Sequence, residues 1–268
     1  MPVAAILQPA YLPGALSQIW SGDSLAHAES EIESSGFPAL DAELPGGGWP
    51  VGAMSEVLHA GAETFAWPLL LPALSRLVSA QGRPVALVGA PHRPFGPALA
   101  AQGLPPEALL WVRCDAANAR LWACEQSLRC RDVSAVVAWL PQARVGDLRR
   151  LQLAAAQYER LLWVFRPQGS AGQSSPARLR LSVEQGDSAD TMTLHLLKRR
   201  GPPLSRPIPV ASQPARLAAV LEASRRRRAQ RMPEPQAASA TGATVVRLES
   251  FFLASKAEHA LDRTSVAA

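Results

Sequence analysis

The chain has 268 residues, 48% of them hydrophobic and 18% charged, enough for one substantial domain with a tail or for two small domains. No run of about 18 apolar residues exists, and the N-terminus has neither a basic region nor a long apolar stretch, so neither a membrane span nor a secretory signal is expected. The net charge of +5 is unevenly spread: the first 75 residues hold eight acids and no Lys or Arg, whereas residues 198–231 hold ten basic residues against Glu222.

Residues 1–35 read as an acidic N-terminal arm with one helix around Leu16, Ile19 and Trp20. The Leu44–Gly52 stretch, LPGGGWPVG, is dense in turn formers and marks a tight loop. An apolar strand over Met54–Leu58 follows, then a helix from about Thr64 to Val78. Strands are expected at Pro84–Gly89, Leu109–Arg113, Val133–Leu140 and Leu161–Phe165. Helices are expected between them at Pro94–Gln102, Ala116–Cys130 and Gly146–Glu159, with Leu121, Cys124 and Leu128 sharing one face. Short apolar strands alternating with helices imply right-handed crossovers and a mostly parallel sheet covered on both faces. Arg178–Glu184 and Thr191–Leu197 instead alternate polar and apolar residues, which predicts an antiparallel edge hairpin with one solvated face.

The organisation predicted is an arm over 1–35, a core over 36–210, a basic C-terminal helix over 211–232 and a disordered tail over 233–268. Within the tail, the apolar island Val245–Leu253 is either a docking segment or a loosely packed strand. The Arg225, Arg226, Arg227, Arg228 block suits a helix C-terminus and is either a solvated face or a phosphate-binding end. Cys114, Cys124 and Cys130 have no C-x-x-C spacing, which argues against a disulfide framework or a zinc site and fits a reducing cytoplasm. The five histidines show no paired ligand spacing. Trp111, Trp122, Trp139 and Trp163 fall on expected core elements and read as packing residues.

In an α/β fold, the loop after the first core strand is the natural phosphate site, because backbone N–H groups and a helix N-terminus meet there. Here that loop reads His59-Ala-Gly-Ala-Glu-Thr-Phe-Ala66 and lacks the Lys and hydroxyl of a nucleotide-binding G-x-x-x-x-G-K-[ST]. The segment Phe37–Leu58, with its Leu-Asp, Gly-rich turn, Pro-x-Gly and Glu-containing strand, resembles the stretch before the P-loop in the RecA recombinase family. Leu87–His92, Ala123–Leu128, Val133–Leu140, Leu162–Phe165 and Leu197–Arg200 resemble later elements of that family, for coverage of roughly residues 36–208. The resemblance implies a RecA-like core with a degenerate P-loop. It places the loop glycines on His59 and Thr64, the P-loop Lys on Phe65, the Mg²⁺ hydroxyl on Ala66, the catalytic Glu on Pro91 and the Walker B Asp on Trp139. Losing those groups removes what phosphoryl transfer needs, so no catalytic residue, nucleotide or metal is expected.

A RecA-like core of this kind, with the LPGGGWP turn and a basic C-terminal helix, is similar to the ImuA family, with SulA-like cell-division inhibitors as more distant relatives. The resemblance implies a non-enzymatic accessory protein of DNA-damage-induced (SOS) mutagenic translesion synthesis. Its implied partners are RecA, an ImuB-type inactive polymerase and an error-prone DnaE-type polymerase. It would be cytoplasmic, with nucleoid association and DNA contact through the basic C-terminal segment both open. Trp20 and Arg225–Arg228 are the candidate contact residues. The alternative is a SulA-like inhibitor acting on the division protein FtsZ.

Overall fold

A computed structural model describes residues 31–61, 66–188, 190–213, 219–220 and 222–227. The expected docking island, tail, Trp20 and Arg228 lie outside them. Contacts divide the chain between Ala219 and Val220. Beyond that division the described residues are helical and exposed, and Arg226 Nε pairs with Glu222 Oε1 at 3.0 Å.

The first described strands are short. β1 (Ile32–Glu33) pairs antiparallel with β2 (Trp49–Pro50) across α1 (Pro38–Asp41) and the glycine-rich turn. The glycines of that turn serve packing. Gly46 and Gly47 sit at φ +78° and +87°, where residues with a Cβ are strained. Gly48 is extended but crowded: a Cβ there would lie 2.4 Å from the Glu33 carbonyl oxygen. The result is that Trp49 is completely buried, its ring edge-on to Trp163 at 5.8 Å and 86°, a favoured aromatic geometry. Gly48→Ala should therefore lower stability by about 1–3 kcal/mol through overpacking, read from the urea midpoint.

The main sheet comprises β3 (Met54–His59), β4 (Val85–Val88), β5 (Leu109–Val112), β6 (Ala135–Trp139), β7 (Leu161–Pro167), β8 (Leu179–Gln185), β9 (Thr191–Lys198) and β10 (Ile208–Ala211). Its order is β10-β9-β8-β3-β7-β6-β4-β5. Pairing is parallel from β5 through β8 and antiparallel for β8–β9 and β9–β10. This is the mostly parallel α/β sheet with an edge hairpin that the alternation of elements implied.

α2 (Ala66–Gln81), α3 (Gly96–Ala100) and Trp49 cover one face, where Leu70, Leu74, Leu99 and Trp163 share a core. α4 (Ala117–Arg129) and α5 (Val145–Gln157) cover the other, where Cys124, Leu128, Leu148 and Leu151 pack on Val136 and Val164. Buried Cys124 has its thiol pushed well above the ordinary range by desolvation, with the nearby Glu125 carboxylate adding to it.

α3 is closed by a turn ending at Gly103, with φ +86°, as the sequence implied. Three expectations need correction. Trp122 is 64% exposed: α4 turns Ala123, Cys124 and Leu128 inward, so Trp122 points to solvent. The Pro-rich stretch after Gly201 contributes an additional strand, β10, whose Ile208 and Val210 face the core. Finally, the polar face of β8 is solvated only at its end, at Glu184. β9 keeps the expected alternation, but Arg180 and Ser182 on β8 are buried.

Candidate functional site

The carboxyl ends of β3, β7 and β6 lie side by side, where α/β proteins place their ligands. β3 ends at His59, whose Nδ1 is in hydrogen-bond contact with the Gly61 carbonyl. His59 lies 6.1 Å from Phe165, ring to ring, at 55°. Phe165 in turn stacks on Trp139 at 5.1 Å and 15°. Phe165 and Trp139 are 3% and 8% exposed, so the row is a packed layer rather than an open platform. Thr64 and Phe65 lie outside the described residues, and Ala66 opens α2. Pro91 is elsewhere: it is exposed, beyond the end of β4, and lines a separate cleft. The structure thus brings His59 and Trp139 into one aromatic row and leaves Pro91 out of it.

On the opposite face of the same strands lies a buried charge cluster that the sequence reading did not single out. Glu56 on β3 is fully buried, and Arg166 and Arg180 on the flanking strands are 2% and 7% exposed. In-register parallel pairing sets Glu56 opposite Val164 and Arg180, and Leu58 opposite Arg166. All three charged residues therefore lie on one face of the sheet. Arg166 Nη1 and Arg180 Nε each donate to Glu56 at 2.8 Å. Other donors reach backbone carbonyls: Arg166 Nη2 to Ala143 at 3.0 Å, and Arg180 to Ser170 and Gln173 at 3.0 and 3.1 Å, while the buried Arg166 Nε has no hydrogen-bond partner. Arg166 also donates to the Gln173 side chain at 2.8 Å.

The cluster is thus a clamp on the connection from β7 to β8. One carboxylate neutralises only one of two guanidiniums, so the carbonyl dipoles are needed to offset the second buried charge. Arg166 is the basic residue of the Arg166–Pro176 connection, and its burial against Glu56 removes it as a surface phosphate contact. The available sequence signal was a lone carboxylate inside the buried strand β3, with Arg at interior positions of two other strands.

Two further carboxylates hold ion pairs between separate segments of the chain. Glu43 accepts from Arg206 and, at 3.0 Å, from Arg199, and these bonds hold its carboxyl below the ordinary value of 4.5, the Arg206 bond most of all. Glu125 is lowered likewise, first by its 2.5 Å bond from Arg150. A carboxyl lowered in the folded state adds stability that is present above its unfolded value and lost as pH falls through the folded one. Glu43→Gln should therefore lower the melting temperature at neutral pH, and the difference from the parent should vanish on acidification below the carboxylate range, as followed by circular dichroism. Among the described residues no group of three or more His, Cys, Asp or Glu side chains is placed to hold a metal ion. No helix there is long and apolar enough to cross a membrane.

The fold and the site together define a mostly parallel α/β protein in which a tryptophan, not a carboxylate, ends β6 and stacks on Phe165 near the end of β7. Among curated proteins, the chain is similar to the cell division inhibitor SulA of Edwardsiella piscicida. The two are 32% identical over 126 residues, which is 47% of this chain and 74% of that protein. It is also similar to protein ImuA of Caulobacter vibrioides, in two strains, at 36% identity over 130 residues, 46% of this chain. That alignment spans about half of the ImuA relatives, 52% of their length. No protein-family model matches the chain. On the extent of the SulA match, supported by ImuA, the chain belongs to the ImuA/SulA-like family.

Proposed function

We propose that this protein is a non-enzymatic accessory factor of DNA-damage-induced mutagenic translesion synthesis. It acts by binding other proteins: RecA, an ImuB-type inactive polymerase and an error-prone DnaE-type polymerase. The observation that carries the reading is the stack of Trp139 on Phe165 at the strand end where the RecA resemblance expects a metal-binding carboxylate. A nucleotide with its metal needs anionic ligands and open space there. A buried aromatic pair offers neither. The same core retains the sheet and crossovers of a domain suited to docking on a RecA-like partner.

The acidic arm 1–35 and the basic segment after residue 198 are the proposed contact surfaces, their opposite charges favouring different partners. Trp20 and Arg225–Arg228 are the candidate contacts within them, and the basic block is the proposed route to DNA. Capture by immobilised RecA and by the polymerase pair, with the full chain and with residues 1–35 removed, tests the reading. Loss of capture on removal of the arm is expected. Undiminished capture would exclude the arm, and measurable Mg²⁺-dependent ATP turnover would exclude the non-enzymatic reading altogether.

A second reading is supported by the SulA match, which covers 74% of that protein. In it, the chain restrains cell division by acting on FtsZ. Overproduction would then give filamentous cells with no DNA damage, whereas the first reading predicts normal division and altered damage-induced mutation frequency.

A further inference from the structure

A cleft of about 360 Å³ opens at the carboxyl ends of β4 and β5, next to β6 in the sheet, and none of the three rings of the aromatic row lines it. The chain leaves β4 through α3 on one face of the sheet and leaves β5 through α4 on the other. Adjacent strands whose connections diverge in this way create the crevice that ligands occupy in open α/β sheets. The lining is mostly polar and includes Arg93, Arg113 and Arg120, with Asp115 as its acid.

These arginines are placed, not merely abundant. Arg120 Nε donates to the Cys114 carbonyl at 2.8 Å, which fixes the guanidinium. Its stem crosses Gly89, where φ is +65° and a Cβ would lie 2.9 Å from Arg120 Cδ. Only glycine leaves that space. Arg113 stands over the Trp111 ring, 5.4 Å from its centroid. Arg93 and Arg113 are exposed, and among the described residues neither guanidinium has a carboxylate within salt-bridge distance. α4 begins beside them after Ala116, which supplies no side-chain cap, so the helix N-terminus adds to the positive potential.

We infer that this cleft binds backbone phosphates of single-stranded nucleic acid. Three guanidiniums against one carboxylate select an anion, and guanidinium forks match phosphate oxygens. The cleft offers little apolar surface to bury a base, so recognition falls on the backbone and is independent of sequence. It is also larger than one phosphate needs and open to solvent, so a strand can enter and leave. This inference goes beyond the accessory role proposed above and does not depend on it. It assigns nucleic-acid contact to the core, apart from the Arg225–Arg228 block.

The test is fluorescence anisotropy of a labelled oligothymidylate with the full chain, as a function of salt. It is repeated in a full-length variant with Arg225, Arg226, Arg227 and Arg228 each changed to Ser, which removes the second basic surface. In that background, Arg93→Ala with Arg113→Ala should weaken binding about tenfold or more at about 0.1 M salt and reduce the log–log salt slope by about 1.4, the value for two lost single-strand phosphate contacts. Both side chains are exposed, so the unfolding midpoint should not move. Inorganic phosphate and dTMP should compete only weakly. Unchanged affinity and slope in the double variant would overturn the inference. So would dTMP binding as tightly as the oligonucleotide, which would make the cleft a pocket for a small phosphate ester.

Discussion

Glu56→Ala is expected to lower the unfolding free energy by about 3–5 kcal/mol, because it strands two guanidiniums in the interior with no counter-charge. Both arginines are almost wholly buried and each loses a 2.8 Å bond to the carboxylate. Their carbonyl partners cannot replace a full negative charge. Glu56→Gln should cost less, since the amide oxygen still accepts one bond, but its NH₂ group then faces a guanidinium. Replacing all three residues by apolar ones of similar volume should cost less than Glu56→Ala, because the charges leave together. Urea denaturation measures each variant. The connection over 168–177 should become protease-sensitive in Glu56→Ala, as its carbonyls lose oriented donors. A Glu56→Ala loss below about 1 kcal/mol would place the cluster among exposed ion pairs in strength and refute the clamp.

Trp139→Ala should lower stability by about 3–5 kcal/mol, the range for removing a large buried aromatic side chain. Trp139→Phe should lose much less, because a ring stacked on Phe165 survives. Neither variant should gain ATP turnover: a cavity where the tryptophan stood supplies room but no ligand for Mg²⁺ and no cation for phosphate. Trp139→Asp is the sharper version. It puts a carboxylate where the RecA resemblance expects one, yet His59 and the loop after it still lack the phosphate-binding Lys and hydroxyl. Destabilisation without nucleotide binding is expected, measured by calorimetric titration with Mg²⁺ and ATP. Tight binding would mean that the aromatic pair alone had been keeping nucleotide out.

Much of the architecture was legible in the order of residues. β4 and β6 are uninterrupted apolar runs, and β7 is apolar from Leu161 to Phe165, as expected of strands covered on both faces. The crossover helices α4 and α5 follow from apolar spacings of three and four, and each ends within about two residues of the expected bound. β8 misled for a specific reason. Its period of two matches a half-exposed strand, and a buried arginine looks the same in sequence as a solvated one. Only a carboxylate 124 residues away in the chain distinguishes the two cases. Trp122 misled in the opposite sense, because one tryptophan beside an apolar helical stripe can fall on either side of its edge.

The candidate sites divide in the same way. His59 and Trp139 were flagged by comparing residue types with a known pattern, and that needs no coordinates. The Glu56 clamp and the arginine cleft at β4 and β5 were not flagged, since their members are far apart in sequence or belong to no linear motif.

Taken alone, the amino-acid order determined the number and type of most core elements, the apolar stripes of the crossover helices α4 and α5 and the absence of the usual phosphate-binding residues. Hydrophobic periodicity and residue chemistry are local properties, written along the chain. Tertiary structure decided which charges are buried, which glycines are obligatory and where arginines converge. Those depend on strand register and on distances between segments that share no sequence neighbourhood, and desolvation and Coulomb energy act across space rather than along the backbone.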